Sequence, residues 1–404
     1  MKESVLNEPS FRLFLVYRLL VTLAIQMQSV AVAWQVYNLS HSALHLGYVG
    51  LAIFLPNLLF ALPGGRAADR YPRRRTMLIS ISLILLTSAS LLLSHLFPRN
   101  GLGQIYITLG LLGLARAYYG PAATAYLAQL VPTHQLPRAV AINSTAFQLS
   151  TIMGPALAGV IVALPDASVA TVYATCLVFL LAAVLILLRL PMLPVPGGPG
   201  RDLDILGGLR YVWGNKLILG AISLDLFAVL LGGAVALLPV FARDILHVGA
   251  AGLGTMRSAP ALGATLMAIY LSLRPLKGHV GHKMLGAVLL FGIATVGFGL
   301  SRNYHFSLAC LVLLGATDMI SVVVRQTLIQ THTPDVMRGR VSAVNMVFIG
   351  ASNELGEFES GVTAAWLGTV PAVVLGGVGT CLVVLIWSLI FPTLRKVDKL
   401  HLGQ

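Results

Sequence analysis

Gly65-Arg66-Ala67-Ala68-Asp69-Arg70-Tyr71-Pro72-Arg73-Arg74-Arg75 sets five arginines and one aspartate between two apolar runs, about residues 44–64 and 77–97. Each run has the ~20 residues that a helix needs to cross a hydrocarbon core. A loop this short and this basic stays on the cytoplasmic side of a bilayer and fixes the orientation of both neighbours. That rule accounts for the arginines. It does not account for Asp69, or for Gly65 before it.

Composition extends the reading to the whole chain. Of 404 residues, 57% are hydrophobic and only 10% charged, against about 25% charged in an ordinary soluble domain. Helices of ~20–25 residues joined by short loops use up this length in about twelve spans and leave no sizeable soluble domain. The first apolar run contains Arg18, Gln26 and Gln28 and lacks the short greasy core and small-residue cleavage site of a signal peptide, so we expect it to be retained. The net charge of +13 would suggest nucleic acid in a soluble protein, but position decides otherwise. Twenty of the 27 Lys and Arg lie in the N-terminus, the tail and the loops near 66–75, 138, 189–216, 274–283 and 338–340. Three (Arg99, Arg243, Arg302) lie on the other side, and four (Arg18, Arg116, Arg257, Arg325) lie within helices. This asymmetry places both termini in the cytoplasm and gives no nucleic-acid footprint. Cys176, Cys310 and Cys381 stand singly in apolar runs, which argues against a disulfide framework. The ten histidines have no ligand spacing, so neither metal nor cofactor is expected.

The pattern predicts helices at about 11–38, 44–66, 76–97, 104–130, 138–164, 170–190, 217–243, 250–273, 283–300, 305–328, 340–366 and 370–392. The stretch Pro191-Met192-Leu193-Pro194-Val195-Pro196-Gly197-Gly198-Pro199-Gly200 cannot continue a helix. It divides an N-terminal bundle (1–190) from a C-terminal one (217–404), with a linker over 191–216 in which 203–215 can form a short amphipathic cytoplasmic helix. A single offset of 202 residues relates the two. His45, Gly47, Gly50 and Leu51 fall on His247, Gly249, Gly252 and Leu253; Pro132, Arg138 and Asn143 fall on Pro334, Arg340 and Asn345; Gly113, Gly154 and Gly159 fall on Gly315, Gly356 and Gly361. The chain therefore reads as an all-α membrane protein of two six-helix repeats. At the same offset Arg116 lies opposite Asp318 and Pro155 opposite Glu357, so the halves differ electrically.

Ionisable side chains inside a membrane cost about 2.5–3.5 kcal/mol on insertion scales and normally face a cavity or a partner. Asp225, Asp318, Glu354, Glu357 and Glu359 all lie in predicted helices of the C-terminal half. Asp225 sits in Leu-Asp-Leu-Phe-Ala-Val-Leu-Leu-Gly-Gly, where desolvation disfavours its charged form. It reads equally as a proton carrier or as the fixed partner of Arg18 or another cavity arginine. Glu354 and Glu357, three apart, share a helix face that Glu359 does not. Two carboxylates on one face repel, which suits proton coupling or a cationic substrate, unless that helix starts late and leaves them at a wet cavity mouth. Gln26, Gln28, Ser29, Trp34 and Gln35 mix polar and apolar surface, as an amphipathic organic ligand requires. Tyr118, Tyr119, Phe227 and Trp366 can add aromatic surface, or belong to packing and interface belts.

Gly65, Ala68, Asp69, Arg70, Arg73 and Arg74 resemble the signature loop between the second and third helices of the major facilitator superfamily, with Ala67 and Pro72 departing from its pattern. The resemblance implies paired six-helix bundles with a substrate site between them, and makes Asp69 a conformational latch that contacts the end of the eleventh helix and nearby arginines. Leu112 to Ala123, with Arg116 and Tyr119, is similar to the fourth-helix motif whose arginine is associated with proton coupling. Gly154-Pro155-Ala156-Leu157-Ala158-Gly159 is similar to the fifth-helix motif of drug/proton antiporters and leans towards export. Read without it, the glycines permit close helix approach and the proline removes one backbone bond. Ala31 to Tyr37, Ala67 to Tyr71 and Gln330 to Val341, including Arg340, resemble the branch of enterobactin and macrolide exporters. That branch implies a multi-pass carrier of the bacterial inner membrane, working as a monomer, that exchanges protons for a siderophore, drug-like or lysophospholipid substrate. A facilitative or uptake carrier of the same fold stays open. No His-Glu-x-x-His or Gly-x-x-x-x-Gly-Lys-Ser/Thr pattern occurs, so neither an enzyme nor an ATP-driven pump is expected.

Overall fold

The computed structural model describes residues 5–97, 101–164, 168–194, 205–276 and 278–398. Its long helices are α1 (Pro9–Ser40), α2 (Ala43–Arg70), α3 (Arg73–Leu96), α4 (Gly101–Leu130), α5 (Leu136–Ala163) and α6 (Val169–Arg189). The short α7 (Ile205–Gly214) and then α8 (Lys216–Leu231) and α9 (Leu238–Val240) follow. The chain continues with α10 (Gly249–Leu273), α11 (Val280–Leu300), α12 (Tyr304–His332), α13 (Asp335–Leu367), α14 (Thr369–Ile390) and α15 (Pro392–Arg395). Among the described residues there is no strand. Val195 through Asp204 of the predicted linker lie outside the described residues, and α7 occupies the position of the predicted amphipathic helix.

Nine helical segments among the described residues are long and apolar enough to cross a membrane. Outside that set fall α4 and α10, where Gly, Ala, Tyr and an arginine replace large aliphatics, and α13, which carries Glu354, Glu357 and Glu359. The exposed faces are apolar at helical spacing: Ile79, Leu86 and Leu93 on α3, Val178, Leu181, Leu185 and Leu188 on α6, and Leu375, Val378, Leu382, Leu385 and Leu389 on α14. Meanwhile Gln28, Gln35, Thr87, Ser88, Thr295 and Thr380 are buried. An aqueous protein sorts side chains the other way, and continuous apolar stripes of this kind face lipid.

Elements begin and end where local chemistry dictates. Ser168 caps α6 with a reciprocal bond from its backbone N–H to Thr171, and Asn215 accepts from the N–H groups of Leu217 and Ile218 to start α8, each satisfying orphan donors. The predicted unbroken helix at 217–243 is interrupted. α8 stops at Leu231, Gly232 and Gly233 follow, and a 3₁₀ turn, α9 and a π-turn at Phe241–Ile245 complete the segment. A Cβ on Gly232 would stand 2.5 Å from the Phe291 ring, and one on Gly233 2.5 Å from the Gly356 carbonyl. Two residues with no side chain are required here, and two successive glycines weaken a helix.

The chain forms two compact units. One comprises 1–41, 51–201 and 249–258, the other 42–50, 202–248 and 259–404. In the first, α1 packs against α5 and α6, and α3 against α4 and α6, over buried Phe11, Phe14, Tyr17 and Met27. In the second, α8, α11, α12 and α14 enclose Ala221, Leu224, Met284, Val288, Val324, Leu328 and Val384. The 202-residue offset recurs in packing. A Cβ on Gly154 would meet Leu23, Gln26 and Met27 of α1, and one on Gly356 would meet Val229 and Leu230 of α8. Gly113 seats on the Ile53 carbonyl of α2, and Gly315 on the Pro260 carbonyl of α10.

Candidate ion-coupling site

In the second unit, α8 contributes Asp225 and α12 contributes Asp318, Ser321 and Arg325. On α12 these residues stand at i, i+3 and i+7 and so share one face. The Arg325 guanidinium forms an ion pair with Asp225. Arg325 and Asp225 are 2% and 5% exposed, a burial that two opposite charges tolerate only when they compensate each other. Asp225 is thus held by an arginine of its own unit: of the two partners read for it, Arg18 or another cavity arginine, the structure supplies the second. Asp225, Asp318 and Ser321 line one narrow cavity with Ala228, Val229, Val288, Phe291 and Thr317. Its volume of about 10 Å³ is room for about one water and far below the ~300–1,000 Å³ of small-molecule sites. Among the described residues the Ser321 hydroxyl of this lining has no hydrogen-bond partner, and neither does the Arg325 Nε one turn further along α12. The pattern in the sequence pointed to Asp225 and Asp318. Arg325 and Ser321 were not singled out, although the seven-residue step from Asp318 to Arg325 was a usable signal.

Two other acids lie elsewhere in the same unit. Glu354 and Glu357 are half-buried in the middle of α13, which starts at Asp335; the late helix start considered for them does not occur. The Glu357 carboxylate lies beside Gly50, where a Cβ would come within 3.1 Å of it. Glu359 accepts a bond of 2.7 Å from Thr363. Arg340 is half-buried near the start of α13, its Nη1 3.6 Å from Met337 Sδ, and its carbonyl abuts Gly208 of α7.

The first unit holds a different constellation. Arg18 of α1 donates to the Tyr119 hydroxyl of α4 at 3.1 Å, with its guanidinium carbon 5.5 Å from the Tyr119 ring centre. Tyr17 lies 6.4 Å, ring to ring, from Tyr119, and its buried hydroxyl has no partner. Arg116 is half-buried and makes no hydrogen bond or ion pair among the described residues. Gln26 and Trp34 are half-buried on α1. Trp366, by contrast, is 82% exposed and adds nothing to an enclosed surface.

The basic loop also acquires definite partners. Arg73 donates to the carbonyls of Ala68 (3.4 Å) and Ala125 (3.0 Å), and Arg74 Nε to that of Leu187 at 2.9 Å. These two arginines thus bind carbonyls near the C-terminal ends of α4 and α6, where positive charge complements the helix dipole. Arg66, Asp69, Arg70 and Arg75 are exposed. Asp69 makes no ion pair among the described residues, so the expected contact with nearby arginines is absent from this conformation, and Gly65 has open space around it. In the fifth-helix motif, a Cβ on Gly254 of α10 would stand 2.5 Å from the Pro155 carbonyl and 2.8 Å from the Gly159 Cα. Ser258 fixes this seam by donating to the Ile152 carbonyl at 2.7 Å.

Apolar exposed faces, buried charge and glycine seams define a multi-pass membrane transporter, and residues 14–357 match the model of the Major Facilitator Superfamily. The chain belongs to that family. It is similar to the enterobactin exporter EntS of Citrobacter koseri, 28% identical with 96% of this chain and 94% of the relative covered, and to that of Salmonella choleraesuis, 27% identical over the same shares. Among solved structures it resembles a bacterial homolog of the human lysosomal transporter Spinster, inward-facing and unoccupied, with TM-score 0.74 and 13% identity, covering 96% of this chain and 97% of that one. It also resembles a D-xylose-proton symporter, with TM-score 0.72 and 16% identity, covering 95% and 97%. At these identities the structural likeness speaks for the fold alone.

Proposed function

We propose that this chain exports a siderophore of the enterobactin type, or a similar amphipathic molecule, across the bacterial inner membrane by proton antiport with alternating access. The observation that carries the reading is the likeness to enterobactin exporters over 96% of the chain. The buried Asp225–Arg325 pair beside Asp318 supports ion coupling, since buried charge in a membrane is retained where it has work to do. Two six-helix bundles over 1–190 and 217–404, both termini in the cytoplasm and a working monomer complete the proposal. Asp225, Asp318, Glu354, Glu357 and Arg116 serve coupling. Arg18, Gln26, Trp34 and Tyr119 serve substrate contact, while the loop 65–75, the Gly154-Pro155 stretch and Arg340 serve the conformational cycle.

The test is purified protein in liposomes under an imposed pH gradient, with enterobactin, macrolides and lysolipids added in turn. Proton movement that depends on enterobactin supports the reading. Enterobactin movement with no proton response would turn the protein into a facilitator.

A further inference from the structure

We infer that Asp318, not Asp225, is the residue that carries the exchanged proton, and that Asp225 is the fixed counter-ion that positions Arg325 beside it. This rests on the proton-antiport reading above and assigns the ion site within it. Charge balance decides between the two carboxyls. The cluster holds two carboxylates and one guanidinium, and Arg325 is already bonded to Asp225. A second ionised carboxylate would leave one uncompensated negative charge next to Val229, Val288 and Phe291, a situation that proteins resolve by protonating the group. The neutral arrangement is ionised Asp225, ionised Arg325 and protonated Asp318.

The lining of the cavity supports the assignment. α11 lines the cavity with Val288 and Phe291 only. On α14, Thr380 donates to the Ala228 carbonyl and Cys381 lies near the Leu289 carbonyl. Glu354 and Glu357 of α13 do not line the space. Asp318 therefore shares the cavity with one other titratable group, Asp225, whose carboxylate is held by the cation Arg325. The unpartnered Arg325 Nε and Ser321 hydroxyl are donors in reserve. When Asp318 gives its proton to water, these donors are the groups of the α12 stripe that can stabilise the carboxylate left behind. A metal cation is a poor occupant, because Arg325 repels it and no group of three His, Cys, Asp or Glu side chains gathers among the described residues. The small volume excludes the organic substrate, so coupling ion and substrate occupy different places.

Two measurements on full-length protein test the assignment. Infrared difference spectra between acid and alkaline pH should show a protonated-carboxyl band that is lost in Asp318→Asn; in Asp225→Asn, which frees Arg325 to pair with Asp318, the band should persist only to lower pH than in the wild type. In proteoliposomes, enterobactin-driven proton flux should fall at least tenfold in Asp318→Asn and persist in Asp318→Glu. A band or a proton flux that survives Asp318→Asn overturns the proposal, as does a band whose pH dependence is the same in Asp225→Asn as in the wild type. If Asp318→Asn fails to fold, a band that shifts frequency in Asp318→Glu still supports the assignment, and one that does not move overturns it. Wild-type protein that shows the Asp318 band but moves no protons with enterobactin would sink the antiport reading and leave the protonation assignment standing. Flux that follows sodium at constant pH would do the same.

Discussion

Asp318 and Arg325 lie two helical turns apart on one face of α12, yet the guanidinium is bonded to Asp225 of α8. An arginine that ties two helices together while a carboxyl of its own helix stands by has two possible partners. That makes the cluster both a structural clamp and a charge that can be redistributed.

The clamp gives the first prediction. Arg325→Met leaves Asp225 buried without compensation and should cost on the order of 3–5 kcal/mol, seen as a large drop in the melting temperature of the detergent-solubilised protein. Arg325→Met combined with Asp225→Asn should recover most of the loss. A single variant that melts with the wild type would show that the pair contributes nothing to the fold.

Glycine positions separate packing from motion. Gly315→Ala drives a Cβ into the Pro260 carbonyl of α10 and should destabilise by about 1–3 kcal/mol, as overpacking does. Gly65→Ala meets open space and should leave the melting temperature unchanged. If transport by Gly65→Ala still falls, the loop glycine matters in another state of the cycle. Equal melting shifts for the two variants would count against the seam.

Arg74→Ala removes the donor bound near the end of α6 and should cost about 1–3 kcal/mol, the range for bonds to charged groups. Asp69→Asn, exposed and without an ion pair among the described residues, should melt as the wild type does while shifting the balance between conformations. Cysteine accessibility on either side of the membrane would register that shift; an unchanged labelling pattern would remove Asp69 from the switching mechanism.

Tyr119→Phe keeps the ring under Arg18 but loses the 3.1 Å bond. The expected destabilisation is about 0.5–1.5 kcal/mol. Tyr119→Leu should cost more, because it removes the cation–π contact as well. Thermal melts of the two variants compare these contributions directly, and the reverse order would discard the cation–π reading.

The sequence displayed some of this arrangement openly. Helix positions followed from apolar run lengths, and the 202-residue offset pairs Gly154 with Gly356, which seat on α1 and α8 respectively. The end of α8 was also written, in the pair Gly232-Gly233 with Pro239 beyond, but an averaged apolar run conceals a two-residue break. The cluster was half legible. Asp225 and Asp318 declare themselves by the cost of an acid in an apolar helix, whereas Arg325 stands in the sequence as one of four helix arginines, and spacing alone does not say which of them an acid of another helix meets. The partners of Arg73 and Arg74 could not be read at all, since a backbone carbonyl has no side-chain signature and any residue supplies one.

Those carbonyl bonds change what the five arginines of the basic loop are. A rule that counts positive charge treats them alike, but Arg73 and Arg74 are fasteners for the ends of α4 and α6, and only Arg66, Arg70 and Arg75 are left facing outward. A loop rewritten entirely in lysine would keep every charge and still insert the right way round. It would lose the planar, multi-donor grip of the guanidinium, and α4 and α6 would fray from a protein whose topology looked untouched.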